Sequence, residues 1–166
     1  VAFATSTPLT IAIPAFILRL LRGVPYVFEV RDQWPRIPIA LGVIRSPVLR
    51  WVLHSLERAA YHGASAIVAL SEDMAVGIRA VRGERNEPIL VVPNCADLDH
   101  FVPDARDEEL RSQRGWLDQV VVIHFGAMGR VNNLSYVLDA ADRMRSEPDV
   151  LFVLLGSGIE RARLEE

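Results

Sequence analysis

The stretch IHFGAMGRVNN, residues 123–133, carries residue types suited to holding a phosphate. Gly126 and Gly129 let a backbone approach a ligand closely. Arg130, next in the chain, can offer a bidentate guanidinium to a diphosphate. A run of valines precedes this turn and a helical pattern follows it, and in open parallel sheets that order points free helix N–H groups at anions. The glycines are not spaced as the GxGxxG dinucleotide fingerprint. The same residues also serve an ordinary strand-to-helix turn. LLGSGIE, residues 154–160, repeats the arrangement with Gly156 and Gly158, again as a ligand loop or a plain turn. VFEVRDQWP, residues 27–35, ends an apolar strand in Arg31 and Asp32 beside Trp34 and Pro35. These charges suit a carbohydrate or another polar ligand, or pair with each other to pin the loop.

Other reactive types lack partners in the sequence. His54 and His62 lie eight apart with no further metal ligand at useful spacing, and His100 and His124 have none either. No metal site is expected. Cys95 is the single cysteine, so no intrachain disulfide forms and a reducing, cytoplasmic compartment is the natural reading. Cys95 itself reads as a small side chain in a turn.

The elements that must position these residues alternate. Strands are predicted at residues 1–6, 24–30, 65–70, 89–92, 120–125 and 150–155 from their β-branched and aromatic runs. Helices are predicted at 9–21, 48–61, from Ser71 onward, at 134–145, and opening at Gly158. Ser71 suits an N-cap, with Glu72 and Asp73 favourable in the first turn. Residues 31–46, with Pro35 and Pro38 and Pro47 just beyond, are predicted to be largely loop. Continuous Val/Ile/Leu strands separated by helices indicate parallel sheet buried on both faces. The polar run 94–118 reads as a linker with a short helix, after which the alternation restarts. The predicted organisation is therefore a first lobe at 1–93, a linker at 94–118 and a second lobe from 119 to 166. Each lobe has too few strands for a complete doubly wound domain, so the sequence reads as a segment of a longer protein.

The 166 residues are 51% hydrophobic, enough for a substantial core. No apolar run reaches the roughly 18 residues of a membrane span. All 18 basic residues are arginine. Residues 1–94 carry 10 arginines against 7 acids, and 95–166 carry 8 against 14, summing to −3. From Arg19 to Arg58, seven arginines interleave with Leu, Ile and Trp51 against three acids. Such a face can rest on anionic lipid or simply be solvated. Nothing in the charge balance points to nucleic acid.

Taken in order, these segments resemble the GT-B glycosyltransferases of the GT4 type, the group that includes builders of bacterial surface polysaccharides. VPNCADLDHFVP, residues 92–103, resembles the family's inter-domain signature V-P-N-G-V-D-x-x-x-F-x-P, with Asn94, Asp97, Phe101 and Pro103 matching and Cys95 in place of Gly. HFGAMGRVNNLSYVLDAADRM resembles F-x-G-x-x-G-R-x-x-G-L-x-x-x-L-x-A-A, and LFVLLGSG the strand end L-x-x-V-G-x-G. VRDQWP and ERAAYHGASAIVALSEDM resemble the acceptor-side half. The resemblance implies an α/β protein built from parts of two Rossmann-like domains with parallel sheets. It implies a retaining transfer of sugar from a nucleotide-sugar donor to a glycan or lipid-linked acceptor, in a cleft between lobes, without a metal or other cofactor. Gly126, Gly129 and Arg130 would meet the donor diphosphate, with Arg130 neutralising the leaving group. Gly156 and Gly158 would lie near the donor, and Asn94 near the substrates. Asn132 and Asn133 stand where many relatives carry Lys-Gly. Asp32 would orient the acceptor, with Arg31 where many relatives carry His. The glycine-rich loop of the first lobe and the E-x7-E element are not in the sequence. The segment by itself is therefore expected to lack transferase activity, and its parent to have it.

Two other classes compete. A nicotinamide-dependent Rossmann enzyme requires GxGxxG in its first turn and an acid about 20 residues later, and the sequence has neither. A non-catalytic α/β nucleotide-binding module would keep the phosphate turn without the chemistry.

Overall fold

The structure is a computed structural model that describes residues 1–102 and 106–166. It divides into two compact units, Val1–Asp97 and Leu98–Glu166. Pro103 of the proposed inter-domain signature lies outside the described residues.

The first unit is built on β1 (Ala2–Thr5), β2 (Tyr26–Val30), β3 (Ala66–Ala69) and β4 (Ile89–Val91). The four form one parallel sheet in sequence order. Helices α1 (Ala12–Arg22), α3 (Pro47–Gly63) and α4 (Glu72–Arg82) connect them and form a single layer, α1 packing on α3 and α3 on α4. One hand of crossover between sequential neighbours puts every connecting helix on the same face. The register explains the core. Ala4, Phe28, Ile67 and Ile89 stand in line across the sheet, as do Val30, Ala69 and Val91, and all face the helices. Tyr26 and Phe28 are the largest fully buried side chains, and the Tyr26 hydroxyl donates to the Ala60 carbonyl at 2.8 Å. The alternate residues Phe3 and Leu90 point to the other face and are exposed.

Local chemistry sets the boundaries. Ser46 accepts from the Leu49 amide and Pro47 opens α3. Ser71 accepts from the Met74 amide to open α4, whose first turn holds Glu72 and Asp73. Gly23 closes α1 in the left-handed conformation, φ 65°. Pro14 does not break α1. The helix begins at Ala12, after a 3₁₀ turn over Leu9–Ile11, so Pro14 lies in the first turn, where no intrahelical N–H is needed. Residues 31–46 are largely loop, as expected, apart from a short helix, α2 (Arg36–Ala40), which tolerates Pro38 in its first turn for the same reason.

The second unit contains α5 (Glu108–Arg114), β5 (Val120–Ala127), α6 (Ser135–Arg143), β6 (Val150–Ser157) and α7 (Arg161–Glu165). Strands β5 and β6 pair in parallel along their whole length. Each runs two residues past its expected end, so Gly126 and Gly156 are register partners inside the ladder rather than turn residues. The sheets and helices are those of Rossmann-like α/β units, as expected.

Candidate functional site

In the first unit the polar residues collect beyond the carboxyl ends of the strands, where parallel α/β sheets bind ligands. Thr5, Ser6 and Thr7 leave β1, Arg31 and Asp32 leave β2, Leu70 leaves β3 and Asn94 follows β4. Together they line an open cavity of about 440 Å³. Arg31, Asp32 and Asn94, chosen from sequence, are thus brought to one place.

Hydrogen bonds fix this rim. The buried Ser6 hydroxyl accepts from the Arg31 amide at 3.0 Å, and the Ser6 amide donates to the Glu29 carbonyl at 2.7 Å. Thr7 Oγ1 donates to Asp32 Oδ2 at 2.6 Å. Thr7 holds φ 139°, a conformation that a β-branched residue adopts only when its surroundings impose it. With Oδ2 engaged, Asp32 Oδ1 is left to accept from a ligand hydroxyl. Arg31 and Asp32 do not pair with each other; among the described residues no ion pair joins them. Sequence reading missed Ser6 and Thr7. The signal was present in ATSTP, a short apolar strand ending in consecutive small hydroxyl residues.

The second unit holds the other sequence-selected residues. A Cβ on Gly156 would fall inside van der Waals contact of the Gly126 carbonyl oxygen, and one on Gly158 would meet the Met128 carbonyl in the same way. These glycines are therefore required for strand and loop to approach, whatever else they contact. A Cβ on Gly129 would meet only Asn132 Oδ1, at an ordinary 3.5 Å, so packing does not require a glycine there. Asn132 closes the turn by donating its amide to the Gly129 carbonyl at 3.0 Å. Among the described residues, the amides of Gly129 and Arg130 donate to no protein group. The Arg130 side chain is 65% exposed beside them. Its Nε stands 3.7 Å from Glu160 Oε1, while Arg163 Nη2 holds Glu160 Oε2 at 2.6 Å. Glu160 thus carries one carboxylate between two guanidinium groups, a restraint on Arg130 that sequence reading did not foresee. A cavity of about 280 Å³ nearby is lined by Met128, Leu154, Leu155, Gly156 and residues of α7, and Arg130 is not part of its wall.

His54 and His62 serve the structure. His54 Nδ1 lies 3.2 Å from Glu57 Oε2, and His62 Nδ1 lies 2.8 Å from the Arg58 carbonyl. Burial raises the Glu57 carboxyl above its ordinary pKa, against the opposing hydrogen bond from His54. Among the described residues no group of three His, Cys, Asp or Glu side chains could hold a metal ion. No helix among them is long and apolar enough to cross a membrane.

Parallel sheets with ligand-ready polar groups gathered at strand ends define a Rossmann-like α/β protein with parts of two GT-B domains. Residues 1–95 match the glycosyl transferase 4-like domain, and the chain belongs to that family. It is 27% identical over 156 residues to WcaI of Escherichia coli (strain K12), named for glycosyl transfer in colanic acid biosynthesis, covering 90% of this chain and 38% of that protein. Its fold is similar to that of Anabaena Alr3699/HepE, solved in complex with UDP, at TM-score 0.71 and 19% identity, covering 99% of this chain and 43% of that one. The UDP-glucose complex of the same protein matches at TM-score 0.67 and 18% identity, over 93% of this chain and 40% of that one. The chain thus spans less than half the length of these relatives.

Proposed function

We propose that this chain forms part of a glycosyltransferase that moves a sugar, with retention, from a nucleotide diphosphate donor to a hydroxyl of a glycan or lipid-linked acceptor in surface-polysaccharide synthesis. The observation that carries the reading is the Thr7–Asp32 pair at the mouth of the first unit's cavity, in the segment that matches the family. Asp32 Oδ1 accepts from the attacking acceptor hydroxyl and orients its lone pair. Arg31 and Asn94 line the same cavity and offer contacts to polar or anionic groups of the acceptor. In the second unit, the free amides of Gly129 and Arg130 and the exposed guanidinium of Arg130 bind the donor diphosphate, with Asn132 closing the turn. As the bond from anomeric carbon to phosphate oxygen breaks, charge builds on the departing diphosphate. A guanidinium fixed there stabilises the transition state more than the ground state, with no divalent cation needed. The UDP and UDP-glucose complexes of HepE support a uridine diphosphate sugar as donor. WcaI's name supports a glycan product. The reaction belongs in the cytoplasm, a setting to which the single free thiol of Cys95 is suited.

The test is transfer by the full-length protein from UDP-sugars to a lipid-linked acceptor, beside an Asp32→Asn variant. Turnover that falls by a hundredfold or more in the variant, with UDP affinity unchanged, supports the assignment. Unchanged turnover in that variant overturns it.

A further inference from the structure

The two charges on the wall of the strand-end cavity in the first unit, Arg31 and Asp32, are not spent on each other. Asp32 Oδ2 accepts from Thr7 Oγ1 at 2.6 Å. The Arg31 guanidinium, by contrast, holds no protein group among the described residues. Arg31 is fixed through its backbone, whose amide donates to the buried Ser6 Oγ at 3.0 Å. Its root is therefore set and its cationic head is free. Other arginines of the same unit are engaged. Arg19, Arg45 and Arg50 hold the carbonyls of Gly63, Gly42 and Ile44, and Arg82 and Arg85 hold the Glu87 carboxylate.

The rest of the cavity wall is hydroxyl, amide and apolar, so among the described residues Arg31 is its one cation and Asp32 its one acid. The hydroxyls of a neutral saccharide can be met by Thr5, Thr7, Asp32 and Asn94 without a guanidinium. An anionic ligand cannot be met in that way, because the Asp32 carboxylate repels it unless a cation offsets the charge. A guanidinium does so with bidentate geometry for phosphate or carboxylate. Arg31 and Asp32 are chain neighbours, with Cα atoms about 3.8 Å apart. The anion therefore belongs close to the hydroxyl that Asp32 Oδ1 accepts from. Space is sufficient. The wall runs from the end of β1 past β2 and β3 to Asn94 beyond β4, three strand spacings or roughly 14 Å.

We propose that Arg31 selects an acceptor that carries a negative charge, a phosphate or a carboxylate, beside the hydroxyl to be glycosylated. Asp32, steadied by Thr7, orients the hydroxyl, and Arg31 pairs with the anion. The assignment of that anion to an acceptor rests on the proposed transfer reaction, whereas its pairing with Arg31 is a binding event that needs no transfer.

The experiment uses the full-length protein with UDP at saturation, so that the donor site is filled. Saturation-transfer NMR follows the binding of methyl glucoside, methyl glucuronide and glucose 1-phosphate to wild type, Arg31→Gln and Arg31→Lys. Circular dichroism checks that the variants are folded. The glucuronide carries its charge as a ring carboxylate and the 1-phosphate at the anomeric position, so the two probes separate the two sources of charge. At least one charged probe is expected to bind about tenfold or more tighter than the neutral glucoside. Arg31→Gln should erase that preference, Arg31→Lys should keep part of it, and raising salt from about 0.05 to 0.3 M should weaken it. Equal binding of neutral and charged probes, no binding of either charged probe, or a preference that survives in Arg31→Gln overturns the proposal. Transfer assays with acceptors of the same three kinds read the reaction separately. A charged-probe preference that Arg31→Gln erases, without transfer to any acceptor, leaves the anion pairing standing and counts against the transferase reading alone.

Discussion

Thr7 Oγ1 donates a 2.6 Å hydrogen bond to Asp32 Oδ2, tying together the residues two positions past the ends of β1 and β2. Twenty-five residues apart in sequence, the two meet because β1 and β2 pair in parallel and end at the same edge. The bond turns a solvated carboxylate into one with a fixed orientation, and the proposed chemistry needs that orientation.

Removing the donor should therefore cost turnover more than affinity. Thr7→Val is expected to lower kcat by about 10-fold to 100-fold, the range of a hydrogen bond to a charged group, while acceptor KM changes little. Thr7→Ser should restore most of the rate. Steady-state kinetics on the full-length protein, with the melting temperature as a control for folding, check this.

Arg130 and Glu160 make a paired prediction on the donor side. Arg130→Ala should weaken UDP binding by about tenfold, the value of one charge-assisted contact. Glu160→Gln removes the carboxylate restraining Arg130 and Arg163, so UDP binding should tighten. Calorimetric titration with UDP reads both. Tighter binding in Arg130→Ala would contradict the assignment.

The glycine pair of the second sheet predicts a folding defect rather than a binding one. Gly156→Ala places a methyl group against the Gly126 carbonyl across the ladder, and backbone cannot yield as a side-chain tip can. A loss of about 3 kcal/mol or more is expected, measured by urea unfolding. Gly129→Ala, with ordinary contact only, should cost less than about 1 kcal/mol.

A pH dependence follows from the clamp behind α4. The buried Arg82 guanidinium donates to the Glu87 carbonyl at 3.0 Å and to its carboxylate at 3.3 Å. Hydrogen bonds from Arg85 first, and from the backbone of Glu87, hold the Glu87 carboxyl down at about 2. A lowered folded pKa means that this contribution is complete above the ordinary glutamate range, near 4.5, and is lost as pH falls towards 2. Wild type should melt above Glu87→Gln at pH 6, and the gap should close between about pH 4.5 and 2. A gap independent of pH would remove the carboxylate from the clamp.

The sequence by itself determined the alternation of strands and helices, because local periodicity and caps such as Ser71 and Gly23 encode it. It also determined that Arg31, Asp32, Asn94 and Arg130 sit at strand ends, since hydrophobic runs stop where those residues begin. Tertiary structure alone decided the partners. Thr7 on Asp32, Glu160 on Arg130, and the contact of Gly156 with Gly126 all join residues whose separation in sequence carries no local signal. Strand register sets those distances, and register follows from how the two faces of a sheet are covered. The outward stripe of α1 belongs to the same class. Its periodicity marks an apolar face, but only the packed sheet shows that Ala12 and Ala15 take the inner side and leave Leu20 and Leu21 outside.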